Sequence, residues 1–291
     1  MIYATVATNN NGYLQCLISQ CKKNDVELNI IGLNEKWGGF NWKIKKIRSF
    51  LSKQNKNDIV VFMDAYDVIL LNNNDIEEKF KSFKKKIVMS VEQHSKSSIH
   101  KYFYKKVFNP YYNYLINGGL YMGYVEYLII YFDYINKYYN LNSSQDDQII
   151  FNSFPYENET IQDFYKNYIV LDINSIIFYN LQVPICKKND IHTIINKKIF
   201  VNSNEPNFIH APGKRNINNL LTNYDINIPS NMIKSNYVEH FLTEVNTVTY
   251  SIKTYYKYFV IEFMIILIII CTFFLIFKRY YTNTKNGFFS K

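Results

Sequence analysis

The chain has 291 residues, with 33 Lys+Arg against 24 Asp+Glu and a net charge of +9, enough for one large domain or two small ones. A hydrophobic content of 48% excludes a disordered chain, and nine Gly with six Pro exclude collagen-like and Gly/Pro-rich classes. The basic excess runs along the chain without a Lys/Arg block. It suits anionic partners such as nucleotides, phosphates or membrane surfaces. Aromatics do not interleave with Lys/Arg in the manner of a nucleic-acid module, so nucleic acid is not expected as a partner. The four cysteines, Cys16, Cys21, Cys186 and Cys271, form no CxxC, which argues against a structural zinc site and for a reducing compartment.

In chain order, Ile2–Ala7 is a short β-branched run that reads as a first strand. Tyr13–Lys22 has helical spacing, and Glu27–Leu33 reads as a second strand. Trp37–Phe40, with Gly38 and Gly39, is a loop. Trp42–Lys53 reads as a helix with Ile44, Ile47, Phe50 and Leu51 on one face and Lys/Arg on the other. Ile59–Met63 is a continuous apolar run of the kind found in buried parallel strands. Asp75–Lys86 is an amphipathic helix and Ile87–Val91 another buried strand. Strands alternating with helices predict an α/β domain with a mostly parallel sheet.

Phe259–Phe277 is a 19-residue run with one charge, Glu262. As a helix it would extend roughly 28 Å, close to the hydrocarbon thickness of a bilayer. A single-pass protein anchored by a C-terminal helix in a lipid bilayer is therefore expected. The opening residues lack a charged n-region and a long apolar segment, which favours a tail anchor. Lys278, Arg279, Lys285 and Lys291 behind the run point to the opposite sidedness.

The strongest chemical signal is Asp64-Ala65-Tyr66-Asp67, directly after the buried Ile59–Met63 run. The carboxyl ends of central strands are where open α/β sheets bind ligands. Residues i and i+3 of a strand point to opposite faces, so the chain must turn after Asp64 for both carboxylates to converge. Converged, they repel unless a cation lies between them, and a hard divalent ion able to hold two phosphates is the natural partner. A phosphatase of the haloacid dehalogenase type also places aspartates after a buried strand, but at i, i+2. A strand-end Asp capping a turn, with Asp67 solvated, is the plain alternative.

Several segments together resemble the glycosyltransferase domain of procollagen lysyl hydroxylases. They are, in order, Ala7-Thr8 with Gly12, the run Ile31–Gly39, Lys46-Ile47-Arg48, Phe62–Val68, Asn117–Gly123, Asp146-Asp147-Gln148 and His210-Ala211-Pro212-Gly213. The resemblance implies a GT-A-like domain over residues 1–221. A polar tether (222–257), the membrane helix (258–278) and a short basic tail (279–291) would follow it. It further implies Mn2+ and a UDP-sugar donor, UDP-glucose or UDP-galactose. The acceptor would be a hydroxyl on a protein or glycan, with hydroxylysine or galactosyl-hydroxylysine of a collagen-like protein among the candidates.

By matching positions, Asp64, Asp67 and His210 would ligate the metal. Trp37 and Tyr66 would pack near the uracil, and Lys46 would reach the phosphates. Asn117, Gly118 and Gly119 would meet the donor closely, although an ordinary tight turn also suits the glycine pair. Gly213 and Lys214 would contact the nucleotide. Asp146 and Asp147 would act on the acceptor as catalytic residues, a placement compatible with the first turn of a helix. Two other functions stay open: a non-catalytic, membrane-anchored sugar-nucleotide-binding module, and a metal-dependent phosphohydrolase.

Overall fold

A computed structural model describes residues 1–92, 114–139, 147–182, 190–212, 215–228, 260–261 and 263–274. The chain divides into two compact units, Met1–His240 and Phe241–Lys291.

The first unit begins β1 (Ile2–Val6), α1 (Leu14–Lys23), β2 (Leu28–Ile31), α2 (Phe40–Leu51), β3 (Ile59–Asp64), β4 (Val68–Leu70), α3 (Ile76–Ser82) and β5 (Ile87–Val91). It continues with β6 (Ile116–Tyr124), α4 (Val125–Tyr138), α5 (Asp147–Ser153), α6 (Glu159–Tyr168), β7 (Ile169–Leu171), β8 (Phe178–Asn180), β9 (Thr193–Ile195), β10 (Lys198–Phe200), β11 (Phe208–His210) and α7 (Asn218–Asn223). Six strands form the central sheet in the order β2-β1-β3-β6-β5-β7. β1 runs parallel to β2 and β3, and β5 runs parallel to β7, while β6 is antiparallel to both its neighbours. A smaller sheet, β4-β11-β8, extends the exit of β3.

Side chains alternate across the central sheet with period two. Ala4, Val6, Val60 and Phe62 join Ile44, Ile47, Leu128, Phe132 and Phe151 in one core. Tyr3, Ala7, Ile59, Val61 and Met63 join Leu14, Leu17, Ile76 and Phe80 in the other. Helices therefore cover both faces, which is why β3 reads as an unbroken apolar run. A third cluster joins Ile69, Tyr179, Ile209, Ile217, Leu221 and Ile226 around the smaller sheet. Asn158 caps α6, its side chain accepting from the Ile161 amide at 3.0 Å.

The expected membrane helix is overturned. No helix among the described residues is long and apolar enough to cross a membrane. The transmembrane element of the expected fold class, the lipid bilayer as a partner and single-pass localisation fall with it. The α/β part of that fold expectation is what the sheet shows.

Candidate active site

Three local devices converge at the exit of β3. The strand ends at Asp64, and the chain turns through 65–67 before β4 begins. β4 then pairs antiparallel with β11, Val68 opposite His210, so Asp67 is carried beside the imidazole. The Ala211 amide donates to the Asp67 carbonyl at 2.7 Å and fixes that junction. Asp64, Asp67 and His210 each offer a ligand atom, and these atoms lie within 4.8 Å of one another. His210 Nε2 is 3.3 Å from Asp67 Oδ1, with exposures of 4% and 19%.

β6 supplies the floor. Met63 pairs with Leu120, so Gly119 follows alongside Asp64. A Cβ at Gly119 would stand 2.5 Å from His210 Cε1 and 3.0 Å from Asp64 Oδ2. Only glycine leaves room for both groups to face the same point. The glycine pair is thus inside a strand and not in a tight turn. The Asn117 side chain accepts from the Gly119 amide at 2.8 Å and donates to Glu92 Oε1 at 2.7 Å.

The histidine is oriented from behind. Asn180 Nδ2 donates to the Val91 carbonyl at 2.7 Å, which turns its Oδ1 toward His210 Nδ1 at 2.8 Å. Nδ1–H is then the donor, and the Nε2 lone pair of the neutral ring faces Asp64 and Asp67. Burial disfavours the imidazolium, but the Asp67 carboxylate beside it, helped by Asp64 and Glu92, raises the pKa above the ordinary value. The position draws positive charge. Two carboxylates and an imidazole, oriented by further hydrogen bonds and spaced by a glycine cradle, fit a divalent cation.

A second charged group adjoins the first. Lys43 Nζ lies 2.6 Å from Asp64 Oδ1 and 2.8 Å from Asp147 Oδ2. Burial alone would lower the lysine pKa, yet Asp147 and Asp64 overcome it and raise it. Glu92 moves the other way from an ordinary carboxylate. Burial raises its pKa, against hydrogen bonds from Asn117 and Gln148 that favour the charged form.

Among the residues singled out in the sequence, Asp64, Asp67, His210, Asn117, Gly118, Gly119 and Asp147 come together here. A Cβ at Gly118 would be 3.6 Å from Asp147 Cγ. Tyr66 lies at the β1 exit, its hydroxyl accepting from the Thr8 amide at 2.9 Å and the Asn9 amide at 3.3 Å. Trp37 is 46% exposed in its loop, edge-on to Phe40 and Trp42. Lys46 is engaged elsewhere, with its ammonium on Glu35 and over the Trp42 ring. Asp146, Gly213 and Lys214 lie outside the described residues. Sequence reasoning missed Lys43, Glu92 and Asn180.

The profile of the PLOD GT domain family matches residues 1–236. The chain belongs to this glycosyltransferase family. A Drosophila melanogaster procollagen-lysine,2-oxoglutarate 5-dioxygenase is 29% identical to this PLOD GT domain chain over 240 residues, covering 72% of the chain and 30% of the fly protein. A Caenorhabditis elegans multifunctional procollagen lysine hydroxylase and glycosyltransferase is 33% identical over 79 residues, 24% of the chain and 11% of the worm protein. The chain thus spans less than a third of the length of these curated relatives. Among solved structures, a glycosyltransferase involved in the glycosylation of the major capsid of PBCV-1 is 11% identical with a TM-score of 0.40, covering 73% of this chain and 94% of that one. The galactosyltransferase LgtC, in complex with donor and acceptor sugar analogs, is 11% identical with a TM-score of 0.43, covering 79% and 98%.

Proposed function

We propose that this PLOD GT domain is a divalent-metal-dependent hexosyltransferase that moves glucose or galactose from its UDP conjugate to a hydroxyl on a protein or glycan, hydroxylysine or its galactosylated form included. The observation that carries the reading is the Asp64–Asp67–His210 cluster in the cradle of Gly119. Manganese held there would supply positive charge for the diphosphate as it leaves.

The chain's own residues do the rest. Asn180 fixes the imidazole tautomer, leaving Nε2 as an acceptor toward the cluster. Lys43 pins Asp64 Oδ1, so the carboxylate presents Oδ2 toward Gly119 and His210. Trp37 and Tyr66 would bound the uracil, Tyr66 being fixed against the β1 exit. Gly118 and Gly119 let the donor approach the β6 backbone, and Gly213 and Lys214 would contact the diphosphate. Asp147, with Asp146 before it, would orient the acceptor hydroxyl at the N-terminus of α5. A phosphohydrolase using Asp64 as nucleophile is disfavoured, because that carboxylate is held at 2.6 Å by a buried ammonium.

The deciding experiment measures UDP release from UDP-glucose and UDP-galactose with and without Mn2+, in the presence of hydroxylysine-bearing peptide. Metal-dependent release that disappears in Asp64→Asn and Asp67→Asn supports the assignment. Full turnover in either variant overturns it.

A further inference from the structure

Glu92 is a buried carboxylate to which the reading above gives no task. It follows β5 directly, its amide donating to the Leu115 carbonyl at 2.8 Å, and the residue is 9% exposed. Both hydrogen bonds to its side chain fall on one oxygen. Oε1 accepts from Asn117 Nδ2 at 2.7 Å and from Gln148 Nε2 at 3.1 Å. Oε2 accepts none among the described residues, and it is not among the polar atoms sealed from solvent without a partner. It therefore borders open space. A glutamine would offer Asn117 and Gln148 the same acceptor without burying a charge. The charge and the second oxygen are surplus to the fold.

The hydrogen bonds around Glu92 lead to both halves of the site. Through Asn117, whose Oδ1 accepts from the Gly119 amide at 2.8 Å, it reaches the glycine that spaces Asp64 and His210. The Val91 carbonyl beside it accepts from Asn180, whose Oδ1 holds His210 Nδ1. Through Gln148 it reaches the first turn of α5, next to Asp147 and its partner Lys43. The diphosphate belongs at the first half and the acceptor hydroxyl at the second. The hexose in transit must lie between them, and Glu92 is hydrogen-bonded toward each.

We propose that Glu92 is a specificity-determining residue for the donor, its Oε2 accepting a hydrogen bond from a hydroxyl of the hexose on the nucleotide. This rests on the transferase reading above. A free carboxylate oxygen is an acceptor only, which matches a sugar hydroxyl, and the resulting O–H···O⁻ bond is among the stronger kinds. A pocket built to receive a substrate hydroxyl also discriminates strongly against an analogue without it.

The test is Glu92→Gln in the full chain, which keeps a carbonyl oxygen for Asn117 and Gln148 and puts an amide nitrogen in place of Oε2. Calorimetry with Mn2+ compares UDP, UDP-glucose and UDP-galactose. The variant is expected to bind UDP as the wild type does and to bind at least one of the two UDP-hexoses about tenfold to a hundredfold more weakly. Wild-type affinity for both UDP-hexoses overturns the assignment, and so does an equal loss for UDP, which would place the effect in the metal cluster. Metal-free melting separates the fold from the site. The melting temperature of Glu92→Gln should hold or rise, and a clear fall would show that the charge serves the fold and would overturn the proposal. If the variant does not fold, deoxy analogues of the preferred UDP-hexose decide with wild-type protein: one position should lose about tenfold or more, and equal binding at every position sinks the contact. Wild-type protein that binds neither UDP nor a UDP-hexose overturns the donor reading itself, whereas the outcomes above with binding wild type overturn Glu92 alone.

Discussion

Asp64 stands between two charge environments that solve the same problem differently. On its Oδ1 side, Lys43 also serves Asp147, and both the ammonium and the second carboxylate are buried. That group is neutralised by the protein's own lysine, drawn from a helix far from either acid in sequence. On the Oδ2 side, Asp67 and His210 face an open point that glycine keeps clear. There only an imidazole offsets the carboxylates, and Asp67 and Asp64 pull its pKa upward. The first environment is closed and structural in its energetics. The second is under-neutralised, reaches solvent only through its two part-exposed carboxylates, and is suited to a cation supplied from solution.

The largest effect should come from the open side. Asp67→Asn keeps shape and removes one charge, and metal-dependent UDP release should fall by about a hundredfold or more. Steady-state kinetics across a Mn2+ titration checks this, and wild-type rates at saturating Mn2+ would show Asp67 is no ligand. On the closed side the damage should appear first in stability. Lys43→Met leaves the buried Asp147 carboxylate, with the part-exposed Asp64 beside it, without its counter-ion, at a cost of about 3–5 kcal/mol. Urea melts without metal read this directly, and a loss below 1 kcal/mol would mean the pair is far better solvated than its burial implies.

Two smaller changes separate geometry from charge. Gly119→Ala adds one methyl at 2.5 Å from the imidazole carbon, so the ring or the β6 backbone must yield. Mn2+ affinity, measured by calorimetry, should drop about tenfold to a hundredfold while net charge is unchanged. Asn180→Leu frees the imidazole to adopt either tautomer, and about a tenfold loss of metal affinity is expected. An affinity equal to wild type in the second variant would show that Asn180 does not set the ring.

The open side was legible in the sequence because its acids are neighbours in the chain. Asp64 and Asp67 follow a run whose composition already marks a buried strand, and the required turn is there. His210 emerged only through family likeness, since its approach depends on β4 pairing with β11, and residue spacing says nothing of that register. Lys43 was hidden by its own type. It shares the row of Ile47 and Leu51 on α2, all three buried, but a lysine among lysines reads as solvated surface. Asn180 has no local mark at all: one Asn in an Asn-rich chain becomes specific only when β8 lies beside β11. Strand β6 was missed because three glycines lower strand propensity at the place where backbone proximity requires them. The apolar run near residue 270 had the composition of a membrane span, yet no helix among the described residues is long and apolar enough to be one.

Lys46 offers the smallest expected change and the sharpest contrast with Lys43, one turn away. The two lysines sit on the same helix, but their environments share nothing. Lys46 is about one-third exposed and pairs with the more exposed Glu35, so water and salt compete for both charges. Its ion pair is worth less than about 1 kcal/mol, and Lys46→Ala should barely move the urea midpoint. The resemblance read in the sequence would nevertheless bring Lys46 to the donor's phosphates. If UDP binding drives Lys46 from Glu35 to the nucleotide, Lys46→Ala should raise the donor KM several-fold while stability holds. If Lys43 is the lysine that serves this site, the Lys46→Ala variant should bind UDP-glucose as the wild type does. Comparing donor KM in Lys46→Ala and Glu35→Ala distinguishes the two, because losing Glu35 frees Lys46 and should tighten donor binding only in the first case.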